Sequence, residues 1–133
     1  MGQTKNYFRI IVVMTMTVYV IYFCLPFFGT ALYSKQELTI LGWNGYGAIV
    51  KSEGVIPFLW LALYMFFSIG LLYFKTWAKF GYLILTVISI VLSALSGLLI
   101  LARFDNALLY LTHMGDGAIL VLAFLSSVKD NFT

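Results

Sequence analysis

"FGYLILTVISIVLSALSGLLILA", Phe80 to Ala102, runs its whole length without a formal charge. A helix needs roughly 20 apolar residues to cross the hydrocarbon core of a bilayer, and this stretch supplies them. Three others also qualify: Ile10 to Phe28, Ile56 to Phe74, and Ala107 to Val128. Only the last holds titratable groups of the acid or imidazole kind, His113 and Asp116. The whole chain agrees with this reading. Of 133 residues, 62% are hydrophobic and 10% charged, against about 25% charged in an ordinary soluble domain. A soluble chain this short has too much surface to hide that excess. The expected fold is an all-α integral membrane protein, one four-span domain forming an antiparallel four-helix transmembrane bundle.

A cleavable signal sequence competes for the first span. Lys5 and Arg9 would precede its apolar core, and Gly29 to Ala31 offer small residues. Signal cores run to only about 7–15 apolar residues, so an uncleaved helix is expected. Basic residues then set the orientation. Lys5, Arg9, Lys75, Lys79 and Lys129 fall on one side, and Lys35, Lys51 and Arg103 on the other. Both termini are expected to be cytoplasmic, with the bacterial inner membrane the expected location. No basic cluster supports a nucleic-acid surface. Cys24 is the single cysteine, so no intrachain disulfide is available.

The connections are uneven. Spans two to four are joined by turns of about four or five residues, which favour packing of sequence neighbours. The first external loop, Gly29 to Val55, is much longer. Within it Asn44-Gly45 stands between Leu38–Trp43 and Tyr46–Val50, the pattern of a two-residue β-hairpin turn. The loop is expected to be a small extracytoplasmic hairpin or an irregular loop, with Trp43 and Tyr46 as interfacial anchors or partner contacts. Four spans with such a loop resemble the claudin-like architecture, which pairs a loop tryptophan with two loop cysteines. This loop has Trp43 and no cysteine, so no family is assigned.

Close helix packing in lipid relies on small residues. Ser89, Ser93 and Gly97 recur every fourth residue, with Thr86 and Ser96 alongside, and are expected to face the fourth span. Trp60, Tyr64 and Ser68 share a face of the second span. Tyr82 is grouped with Tyr73, Phe74, Trp77 and Phe80 as part of an interfacial aromatic belt.

Asp116 falls near the middle of the fourth span, where a carboxylate costs on the order of 2.5–3.5 kcal/mol. Gly115 and Gly117 flank it. A turn at "GDG" would leave too short a remainder to span, so a continuous helix is expected, with the glycines admitting a close neighbour. His113 and Thr112 precede Asp116 by three and four residues and share its face. His113 is expected to pair with Asp116, and Ser93 or Thr86 to donate hydrogen bonds to it across the seam.

Catalysis finds little support. A Ser-His-Asp triad drawn with Ser126 or Ser127 fails, because the serine would lie ~20 Å along the helix from His113. Leu95-Ser96-Gly97 faintly resembles the serine motif of rhomboid proteases, but Ala94 stands where its leading glycine belongs. One histidine and isolated carboxylates lack metal-ligand spacing, so no metal and no cofactor are expected. The expected function is non-catalytic: a subunit or partner-binding protein contacting lipid, its own copies or another membrane protein, of which an immunity protein is one version. The alternative is a small oligomeric channel or proton-coupled transporter using Asp116 and His113.

Overall fold

A computed structural model describes residues 2–49 and 54–133. They are helical, with no strand among them. The long elements are α1 (Gly2–Cys24), α4 (Ile56–Leu72), α5 (Thr76–Leu95) and α6 (Arg103–Leu125). The short α2 (Gly29–Leu32) and α3 (Lys35–Leu41) lie between α1 and α4. Three helical stretches are long and apolar enough to cross a membrane: Gln3–Leu32, Thr76–Leu95 and Arg103–Leu125. The helix α4 is apolar too, but its 17 residues reach only about 26 Å at 1.5 Å each.

Local chemistry explains the boundaries. Pro57 sits in the first turn of α4, where its missing N–H costs little. The other end of α4 closes as a Schellman motif: Lys75 N–H donates to the Gly70 carbonyl (3.0 Å) and Phe74 N–H to that of Leu71 (3.0 Å). The motif needs a left-handed residue, and Phe74 fills that place at φ 54°. Its ring is buried against Phe8 and Phe132, contact that offsets the backbone strain. The terminal residue adds two backbone bonds there, Thr133 N–H to Phe74 O (2.9 Å) and Thr76 N–H to Thr133 O (3.0 Å). Both termini and the α4–α5 turn therefore share one end of the molecule.

Packing follows the order α6, α1, α4, α5, and the α5–α6 seam is the loosest. This corrects the expectation that the third and fourth spans face each other closely. The tight approach is between α1 and α6, where a Cβ on Gly115 would lie 2.2 Å from Thr15 Oγ1.

Two further corrections concern the opposite end. The third span does not continue to Ala102. It stops at Leu95, because Gly97 takes φ +75° and leaves the helix. Nor is the external loop a hairpin. Residues Leu38 to Leu41 belong to α3, which starts with a capping box: Glu37 N–H donates to Ser34 Oγ (3.3 Å) and Ser34 N–H to Glu37 Oε2 (2.7 Å). That local device outweighs the turn signal of Asn44-Gly45. Val50 and Lys51, part of the expected second strand and of the charge count, lie outside the described residues.

The turn after α3 pairs with the chain after α5 instead. Gly45 N–H donates to Leu98 O (2.8 Å), Leu98 N–H to Tyr46 O (2.9 Å) and Ile49 N–H to Leu95 O (2.9 Å). Ile100 N–H donates to the Asn44 side chain (3.2 Å). Gly97 permits this approach, since a Cβ there would sit 2.6 Å from both Ala48 N and Tyr46 O.

Candidate functional site

Helix α6 runs unbroken through Gly115, Asp116 and Gly117. Asp116 is 9% exposed and faces the interior. Two phenols meet its Oδ1: Tyr82 of α5 donates at 2.5 Å and Tyr64 of α4 at 2.9 Å, and their hydroxyls are 3.0 Å apart. Three helices thus converge on one oxygen. Donors to a carboxylate in this setting offset much of its desolvation cost.

Oδ2 is differently placed. His113 Nδ1 lies 4.0 Å away, beyond hydrogen-bond reach, and the His113 side chain is 58% exposed. The expected pair is a neighbouring ion pair at most, on the same face. Thr112 is buried and donates to Leu108 O of its own helix (2.9 Å). Thr86 and Ser93 do not reach Asp116. They donate to Tyr82 O (2.9 Å) and Ile90 O (2.7 Å) of α5. Tyr82, read from sequence as an interfacial aromatic, is 1% exposed and the closest partner of the acid. The signal was present: carrying the Thr86, Ser89, Ser93 face back four residues reaches Tyr82.

Along the loose α5–α6 seam runs an open groove of about 360 Å³. Thr86, Ser89, Ser93 and Ser96 line it from α5, and Thr112, His113 and Asp116 from α6. Tyr19 and Tyr22 of α1 and Trp60 and Tyr64 of α4 complete its lining, with the Tyr19 and Tyr64 rings 4.1 Å apart. Ser89 and Ser93 therefore face open space, while Gly97 sits in the loop contact. Gly117 has open space beside it and Gly115 has Thr15.

A second cavity, about 530 Å³, lies toward the α3 end and shares Tyr22 with the first. Tyr33 and Asp105 line it, and the Tyr33 hydroxyl donates to Asp105 Oδ2 at 2.5 Å. Burial first, then the Asp105 carboxylate, pushes the Tyr33 phenol up to about 12. Sequence gave no hint of this pair. Trp43 and Tyr46 are 64% and 82% exposed on the turn after α3. Among the described residues no three His, Cys, Asp or Glu side chains gather as metal ligands. No protein-family model, curated protein or solved structure matches the chain.

Proposed function

We propose that the chain is a non-catalytic, partner-binding subunit of a membrane complex, with four spans in an antiparallel bundle. Helix α4 is the second span, short enough to need local thinning or an interfacial rim. Both termini lie on the cytoplasmic side, where Lys5, Arg9 and Lys79 gather around Phe74 and Phe132. The membrane is a bacterial inner membrane.

One observation carries this reading: the hydroxyl face of α5 and the Asp116 face of α6 border a groove that no helix among the described residues fills. Polar surface at membrane depth is costly unless something satisfies it. A second copy or another membrane protein supplies that cover, and Trp43 and Tyr46 offer further contact outside the membrane. An immunity-type protein that engages a toxin within the bilayer is one form of this function. Native mass measurement of the solubilised protein tests the proposal. The expected result is a homo-oligomer or a defined hetero-complex that Asp116→Asn weakens; a bare monomer with an unaltered variant overturns it.

A second reading has its own support. The two cavities share Tyr22 and together extend from Asp116 to Asp105, a path of the kind used by proton-coupled carriers. In vesicles, that reading requires proton flux that Asp116→Asn abolishes while assembly persists.

A further inference from the structure

The serine and threonine hydroxyls of the groove share a feature that bears on what it can hold. Thr86, Ser89, Ser93, Ser96 and Thr112 each donate to a carbonyl of their own helix, at 2.7–2.9 Å. Each O–H is consumed, and what remains is an oxygen lone pair. Both phenols at Asp116 are spent in the same way, since Tyr64 and Tyr82 donate to Oδ1. Oδ2 keeps acceptor capacity, with its nearest basic atom 4.0 Å off. Among the described residues no Lys or Arg lines the groove. The serine and threonine part of the wall is therefore rich in acceptors and lies beside one carboxylate, while the Tyr19 and Tyr22 hydroxyls, the Trp60 indole and the His113 ring supply the donors.

We infer that this groove binds a primary ammonium or guanidinium group carried on an apolar body, with Asp116 as its counter-charge. The ammonium N–H groups meet Asp116 Oδ2 and the serine and threonine oxygens. The rings of Tyr19, Tyr22, Trp60 and Tyr64 favour a cation over a neutral or anionic head. At about 360 Å³ the space suits one side chain or a small amphiphile, within the usual range of ligand pockets, and is far too small for a whole helix. The inference deepens the partner-binding reading: the basic group is a Lys or Arg side chain on a neighbouring membrane helix, or the head of a free amphiphilic amine.

Titration of the full chain in detergent, followed by Trp60-dependent fluorescence and calorimetry, tests it. The probes are n-octylammonium, tetrabutylammonium, n-octanol, octanoate, and a polyleucine helix with one central Lys or none. Octylammonium or the lysine helix is expected to bind, the primary amine more tightly than the quaternary one because only it donates hydrogen bonds. Asp116→Asn is expected to weaken binding roughly ten- to hundredfold. It keeps a carbonyl acceptor for Tyr64 and Tyr82, so helicity by circular dichroism is expected to hold. Ser89→Ala and Ser96→Ala, each tested against the same fold criterion, are expected to weaken it roughly two- to tenfold. Binding by the lysine helix alone identifies a protein source; binding by octylammonium alone identifies a free amine and counts against the partner reading while leaving the cation site standing. If octanol or octanoate binds as well as the amine, if neither amine probe binds, or if binding survives Asp116→Asn, the inference falls, whatever the native mass shows.

Discussion

At Asp116 the energetic weight rests on two phenols sharing one oxygen. Tyr82→Phe removes the shorter bond and is expected to cost about 1–2 kcal/mol in a detergent unfolding titration. Tyr64→Phe should cost less, and the double variant less than the sum, because either donor partly replaces the other. A second residue-scale contrast lies next to the acid. Gly115→Ala drives a methyl into Thr15, a stiff β-branched neighbour, and should destabilise by about 1–3 kcal/mol. Gly117→Ala meets nothing within 4 Å and should stabilise by up to about 1 kcal/mol through helix propensity. Equal thermal shifts for the two would refute the close α1–α6 approach. The importance of Asp116 was legible in the sequence because a carboxylate inside an apolar span stands out. Its partners were not, since tyrosine serves equally well at an interface and in a polar interior.

At the scale of elements, the two glycine-dependent contacts behave differently from the helices they adjoin. Gly97→Ala places a side chain at φ +75° against Ala48 and Tyr46. Hydrogen exchange at Gly45, Ile49 and Leu98 is expected to accelerate, while amides in the middle of α5 keep their protection. The start of α3 should respond to acid. The Ser34 backbone N–H, followed by its hydroxyl, holds the Glu37 carboxyl below its ordinary value. A depressed folded value means that the cap contributes above the unfolded pKa and is lost as pH falls through the folded one. Amide exchange at Glu37 and Leu38 should therefore rise on acidification below the usual carboxylate range. Tyr33 has the opposite sign. Its raised value favours the neutral phenol, so its contribution holds below pH 10 and is lost as pH climbs toward about 12. An absorbance titration of the phenols reads this directly. Asn44-Gly45 suggests strands on either side, whereas the chain before it starts a helix at the Ser34–Glu37 capping box. A tertiary contact adds to that local device: the turn pairs with residues 95–100, which no local pattern encodes.

For the whole molecule, apolar length told of membrane spans, while helix order came from packing that periodicity does not reveal. Ser89 and Ser93 do form a face, yet it borders a groove, because α6 makes its close contact with α1 through Gly115 and Thr15. The proposed topology gives a direct check. In a Cys24→Ser background, a membrane-impermeant thiol reagent should label a single cysteine at Tyr46 in intact spheroplasts and one at Thr4 only in inverted membrane vesicles. Labelling of both from the same face would refute the proposed arrangement.

The meeting of α1 with α6 also has a consequence for the order of synthesis. Thr15 emerges from the ribosome about a hundred residues before Gly115, its eventual neighbour. At roughly 5–20 residues per second, the first helix waits on the order of 5–20 s for the last. During that interval its Thr15 face has no counterpart within the chain and must be held by lipid, the insertion machinery or a transient contact with α4. Nascent chains arrested before α6 should therefore crosslink through position 15 to such helpers, and released full-length chains should crosslink to α6.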